Sequence, residues 1–287
     1  MLDINTITNV LNNNDPDFIE SLAQQSSQLT QQHFGRTMGL YAPLYLSNYC
    51  SSHCTYCGFN SHHRITRFKL TDEQIHQEMK HLAHQGIENI LLLTGESYKT
   101  TPLSYLLNAA QIAKEYFSSI SLEVHPMEES DYKELFQQGV DGITVYQETY
   151  DRARYAKVHL SGLKADYDFR LKTAHRAARA GIRQISLGIL LGLSDPAADL
   201  LSLYQHLKEL EKDFPGVEYS LSFPRFQSIK GQTFSTNSID DTTFIKIICL
   251  TRILFPRVGI NLSTRETAQL RDNAVKLGIT RISAGSN

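Results

Sequence analysis

Eight short β-rich runs, most of them followed by a longer stretch of helical periodicity, constrain the fold of this chain more than any other feature. They are LYLS (44–47), NILLLT (89–94), ISLEVH (120–125), GITVYQ (142–147), QISLGIL (184–190), VEYSLSF (217–223), GINLS (259–263) and ITRIS (279–283). Most read as near-continuous apolar segments, the pattern of parallel strands with helices on one side and core on the other. Between them, Thr71-Asp72-Glu73-Gln74 has capping-box spacing and opens a run with Ile75, Met79 and Leu82 on one face. Leu200, Leu203, Leu207 and Leu210 form a second stripe, and Leu270, Ala274 and Leu277 a third. Gly86, Gly139 and Gly181 each fall between a helical pattern and the next strand, where a helix end calls for positive φ. Strand and helix alternating eight times predict an α/β chain, a (β/α)8 TIM-type barrel.

One such barrel runs to about 250 residues, so the 287 residues here accommodate it with an N-terminal helical extension. Residues 1–40 read as that extension, with a helix over 15–34 carrying Phe18, Leu22 and Leu29, and residues 41–287 as the barrel. The charge balance, 28 Lys and Arg against 30 Asp and Glu, argues against a nucleic-acid binder, which shows a basic excess. The N-terminus has no basic segment leading into an apolar run, and nowhere is there an apolar stretch of about 18 residues. The expectation is a cytoplasmic protein with no membrane and no nucleic-acid partner.

The carboxyl ends of the eight runs read SNYC, TGES, EVHP, YQET, LLGLSD, SFPR, STRE and SAGS. Polar and charged residues therefore gather at one end of the expected barrel, where active sites of this architecture are built. Three of the four cysteines stand there together, Cys50, Cys54 and Cys57. In a chain without an export signal such clustering points to metal rather than disulfides. Three thiolates are one short of a structural zinc site, which His53, His62 or His63 could complete in a non-enzymatic zinc-binding scaffold. They are also one short of the usual ligand set of a [4Fe–4S] cluster, which leaves one iron open to an exogenous ligand. Cys249, within FIKIICLTRIL, reads as a core thiol.

The segment Cys50-Ser51-Ser52-His53-Cys54-Thr55-Tyr56-Cys57 resembles the signature of the radical S-adenosylmethionine family, down to the aromatic Tyr56 before the last cysteine. The resemblance implies a [4Fe–4S] cluster on Cys50, Cys54 and Cys57. It also implies S-adenosyl-L-methionine chelated to the open iron and cleaved there to a 5′-deoxyadenosyl radical. Thr94-Gly95-Glu96 occupies the place of the family's Gly-Gly-Glu segment, which receives the methionine amine. Glu148 matches the carboxylate for the ribose hydroxyls, and Arg170 the cation for the methionine carboxylate.

Within that family, LYLSNYCSSHCTYCGF, LLLTGE, VYQETY, AGIRQISLGILLGLSD, YSLSFPR, LSTRE and SAGS resemble the 2-iminoacetate synthases, tyrosine lyases of thiazole (thiamine) biosynthesis. The likeness runs in order from about residue 20 to the chain end. Members of that branch continue past SAGS into a segment with a Pro-Gly-Gly-Tyr stretch, so the family's C-terminal segment is expected to be absent from residues 41–287. The resemblance implies cleavage of the Cα–Cβ bond of L-tyrosine to p-cresol and 2-iminoacetate, with a thiazole synthase and a flavodoxin-type electron donor as partners. A zwitterionic substrate in a dry barrel needs a cation for its carboxylate. By analogy with related aromatic amino-acid lyases, Arg265 and Ser283 match that position, and Arg225 is a second candidate. No partner for the phenol hydroxyl is assigned, although Tyr146, Gln147, Glu123 and His125 are available. The neighbouring readings are the tyrosine lyase of [FeFe]-hydrogenase maturation and a tryptophan lyase.

Overall fold

The computed structural model describes residues 3–226 and 238–285. Two helices, α1 (Ile4–Asn12) and α2 (Pro16–Phe34), precede strand β1 (Gly39–Ser47). The chain continues through β2 (His53–Cys54), α3 (Asp72–His84), β3 (Asn89–Thr94), α4 (Leu103–Ala113), β4 (Ser119–Glu123), α5 (Glu129–Gln138) and β5 (Gly142–Glu148). Next come α6 (Arg152–Val158), β6 (His159–Ser161), a 3₁₀ turn (Leu163–Ala165), α7 (Tyr167–Leu171), α8 (Thr173–Arg179), β7 (Gln184–Ile189) and α9 (Pro196–Asp213). Strand β8 (Glu218–Ser222), α10 (Asp241–Leu254), β9 (Gly259–Leu262), α11 (Ala268–Ala274) and β10 (Arg281–Ser283) complete it.

Eight strands close into a parallel barrel in the order β1-β10-β9-β8-β7-β5-β4-β3, the eight expected from the sequence. The local signals explain the helices between them. Thr71 caps α3 with the reciprocal Thr71–Gln74 box, and Gly86, Gly139 and Gly181 all take positive φ. The leucine stripe of α9 is fully buried against the barrel, whereas Leu277 lies beyond the end of α11. Helix α1 was not anticipated. Buried Lys246 of α10 holds its carboxyl end, donating to the carbonyls of Leu11 and Asn13. Among the described residues no helix is long and apolar enough to cross a membrane.

The strands depart from the near-continuous apolar character expected of them. Leu44, Leu46, Ile90, Leu92, Ile120 and Leu122 turn outward into the hydrophobic core shared with the helices. The alternate positions turn inward, and many are polar: Tyr41, Ser121, Thr144, Ser186, Ser220 and Asn261. Asn261 donates to Ser186, Ser220 and Ser222, and the Tyr146 hydroxyl donates to Ser222 at 3.1 Å. The interior is therefore a polar, partly hollow space instead of the layers of branched side chains that usually fill such barrels. A cavity of about 640 Å³ opens at the carboxyl ends of the strands. A second, of about 140 Å³, lies nearer their amino ends. Tyr41, Thr144, Tyr146 and Asn261 line both.

Candidate active site

Cys50, Cys54 and Cys57 follow β1 on one loop, and all three line the larger cavity. The loop is held from several sides. Ser51 donates to the Glu96 carbonyl through both its backbone N–H and its hydroxyl, each at 2.8 Å. The Asn60 amide donates to the Cys54 carbonyl, and the Arg67 guanidinium to the carbonyls of Asn48, Phe59 and Asn60. A small antiparallel pairing of β2 with β6 fastens the far side, where the Lys164 N–H donates to the Ser52 hydroxyl. Two glycines make room: a Cβ on Gly95 would overlap the Tyr49 carbonyl, and one on Gly162 (φ 85°) would overlap the backbone of Ser51 and Ser52.

All four cysteines are free thiols. Among the described residues no three Cys, His, Asp or Glu side chains converge as ligands of a single metal ion. Of the histidines that could complete a zinc site, His53 and His62 pack ring against ring at 3.8 Å. A cubane cluster asks for something different, since each cysteine binds a separate iron, and three thiols on one loop facing one cavity fit that demand. Burial raises the Cys54 and Cys57 thiols, and the Lys164 ammonium acts in the opposite direction on both. Cys249 is buried in α10, its thiol pushed up to about 11 by burial, as a core residue should be.

Around the cysteines stand two buried ion pairs. Arg170 of α7 donates to Glu96 at 2.7 Å and to the Tyr146 carbonyl at 2.7 Å. Burial alone would raise the Glu96 carboxyl, but Arg170 and then Lys164 hold it below its ordinary value. The second Glu96 oxygen and the Thr94 hydroxyl are buried without a hydrogen-bond partner among the described residues. Both residues line the cavity. Buried acceptors left open in this way are where a ligand's donors would be received. Lys164 pairs with Glu148 at 2.5 Å. Glu148 is the only non-glycine described residue at positive φ (70°), on an irregularity between β5 and β7. Such local strain is typically kept where a side chain must be aimed. Tyr56 lines the cavity and donates to His159 Nε2 at 2.7 Å; His159 Nδ1 lies 3.0 Å from the Tyr155 carbonyl and is the donor there. Burial keeps His159 neutral, lowering it to about 2.

The candidates for the substrate separate. Arg225 is committed: it donates to both carboxylate oxygens of Glu266, to Asp241 at 2.7 Å and to the Ile239 carbonyl. Its donors are taken up by groups of the fold, and it is not among the residues that line the cavity. Arg265 lies exposed at the cavity rim with no carboxylate within ion-pair distance among the described residues, and the Tyr45 hydroxyl lies in its field. Ser283 is buried on the adjacent strand, where its hydroxyl accepts from the Thr264 N–H at 3.2 Å. Glu123 reaches the cavity from the end of β4, whereas His125 and Gln147 are buried, with nitrogens that have no hydrogen-bond partner among the described residues. His125 packs against Tyr98 and is lowered to about 4 by burial. Lys164, unremarkable in the sequence, is the site residue that sequence reasoning missed.

A closed parallel barrel with three thiols and an open cavity at its carboxyl face defines the class. The Radical SAM superfamily model matches residues 44–207, more than half of the chain, and the Biotin and Thiamin Synthesis associated domain matches residues 222–287. The chain belongs to the radical S-adenosylmethionine superfamily, whose members use a [4Fe–4S] cluster and S-adenosylmethionine. It is 42% identical to the 2-iminoacetate synthase of Escherichia coli over 94% of this chain and 72% of that one, which places it in that family. Among solved structures it resembles HydG, a maturase of the [FeFe]-hydrogenase, with a TM-score of 0.94 and 28% identity over 99% of this chain. HydG from Carboxydothermus hydrogenoformans also gives 0.94, with 33% identity over the whole chain. The chain spans 64% and 68% of those two structures.

Proposed function

We propose that this chain is a carbon–carbon lyase that breaks the Cα–Cβ bond of L-tyrosine, releasing p-cresol and 2-iminoacetate for thiazole synthesis. The observation that carries the reading is the three-thiol loop at the mouth of a polar barrel, in a chain so similar along its length to a 2-iminoacetate synthase. Cys50, Cys54 and Cys57 would hold the cluster. Thr94, Gly95, Glu96, Glu148 and Arg170 would hold S-adenosylmethionine beside it, with Tyr56 packed against the same space. Bound there, the pair supplies the hydrogen-abstracting radical.

The chain's own residues do the rest. Arg265 and Ser283 hold the substrate carboxylate, and the barrel wall keeps bulk water and stray hydrogen donors from the reacting bond. A thiazole synthase consuming the unstable imine and a flavodoxin-type electron donor are the partners the family relation favours. The likeness to HydG supports a second reading as a tyrosine lyase of hydrogenase maturation.

Anaerobic reconstitution followed by turnover with tyrosine tests the proposal. It expects p-cresol, together with glyoxylate from hydrolysis of the imine, in step with 5′-deoxyadenosine. 3-Methylindole from tryptophan, with no p-cresol from tyrosine, would overturn it.

A further inference from the structure

The cavity that receives the substrate has an unbalanced set of charges. Four carboxylates line it: Glu96, Glu123, Glu148 and Glu266. Three are neutralised within the fold, Glu96 by Arg170, Glu148 by Lys164 and Glu266 by Arg225. Glu123 alone has no ion-pair or hydrogen-bond partner among the described residues. On the cationic side Lys164 and Arg170 are spent in the same pairs, and Arg265 is left over. Both unpaired charges line the cavity together with Tyr45, whose hydroxyl lies in the field of each.

A cavity with one free anion and one free cation across it matches a ligand with the opposite pair, and an α-amino acid is such a ligand. We propose that Glu123 is the anionic half of the substrate grip, its carboxylate receiving the α-ammonium of the amino acid whose carboxylate lies on Arg265. This inference rests on the amino-acid lyase reading above and extends it to the nitrogen of the substrate. A half-buried carboxylate without a partner is costly, and it persists where a ligand completes it. Burial, and then the nearby Glu148 carboxylate, push Glu123 up to about 7, against the pull of Lys164, Arg265 and Arg170. Tyr45 from β1 and Tyr146 from β5 face it as well. An arriving ammonium would supply the missing positive charge.

The test compares two ligands on reconstituted protein: L-tyrosine, and 3-(4-hydroxyphenyl)propanoate, which keeps the phenol and carboxylate but lacks the ammonium. Glu123→Gln should weaken equilibrium binding of tyrosine by roughly ten- to hundred-fold, the scale of a lost charge-assisted hydrogen bond. It should leave binding of the propanoate unchanged, which also reports that the variant is folded. Glu123→Asp should restore part of the tyrosine affinity. In the wild type, tyrosine affinity should rise with pH through about 7 as the carboxyl ionises, and the Gln variant should lose that dependence. Equal losses for both ligands would overturn the proposal, because Glu123 would then serve the phenol or the fold. So would no loss for either. Wild-type protein that binds neither ligand would refute the tyrosine reading itself, and this inference with it.

Discussion

Arg170 and Glu96 meet at 2.7 Å with both residues more than nine-tenths buried, so each is the other's substitute for water. Removing one leaves an uncompensated charge inside the barrel wall. Arg170→Met should destabilise the protein by about 3–5 kcal/mol in urea unfolding and weaken S-adenosylmethionine binding, with tyrosine present or absent. Glu96→Gln keeps an acceptor for the guanidinium and should cost less stability while still weakening the cofactor.

The cysteines should divide three to one. Cys50→Ala, Cys54→Ala and Cys57→Ala should each abolish cleavage of S-adenosylmethionine and lower bound iron, read by iron assay and visible absorbance. Cys249→Ala should retain full iron content, because that thiol is buried in α10.

Backbone room is as necessary to the cysteine loop as the thiols. Gly162 combines φ 85° with a Cβ direction that ends in the Ser51 and Ser52 backbone. Gly162→Ala should therefore push the loop outward and reduce iron incorporation, while far-ultraviolet circular dichroism reports an intact barrel. Gly58, beside Cys57, has open space at its Cβ position, and Gly58→Ala should load iron normally.

Arg265→Lys should keep the cluster and the cofactor but loosen their coupling to the substrate. A planar guanidinium fixes a carboxylate in direction as well as charge, which an ammonium does not. The expected signature is continued 5′-deoxyadenosine formation with several-fold less p-cresol per cofactor consumed. Wild-type coupling in the variant would show that the grip lies elsewhere.

Asp199 offers a pH signature. It accepts from the Thr149 hydroxyl and the Tyr150 N–H, yet burial raises it from 3.8 to about 6. A carboxyl raised in the folded state favours folding most below its unfolded value, and that contribution is lost as pH rises through about 6. Asp199→Asn keeps one acceptor without the charge. It should remove that pH dependence and raise stability at neutral pH by about 1–3 kcal/mol, measured as unfolding midpoints across the acid range.

What could be read in the sequence follows what is periodic or contiguous. The eight strands, the capping box of α3 and the three cysteines are local patterns, and each stands where the sequence places it. The residues that escaped owe their meaning to distant partners. Lys164 lies in a short turn with no motif, and its place beside Glu148 depends on how β6 and the 3₁₀ turn fold back over the cysteine loop. Arg225 and Arg265 look alike in sequence; what sets them apart is the pairing of Arg225 with Glu266 and Asp241, 41 and 16 residues away. The inward hydroxyls of β5, β7 and β8 were masked by the strong outward β-formers that alternate with them. Helix α1 is secured from outside its own sequence, by Lys246.

That alternation has an evolutionary corollary. The apolar faces that bind strand to helix point away from the centre, while Ser186, Ser220, Ser222 and Asn261 point into it. The ring is hooped from the outside like a cask, its apolar grip lying on the far side of the staves from its contents. Away from the buried ion pairs, substitutions on the lining can thus reshape which substrate is held without touching the apolar hoop. An ancestral scaffold of this design could diversify its chemistry one inward residue at a time.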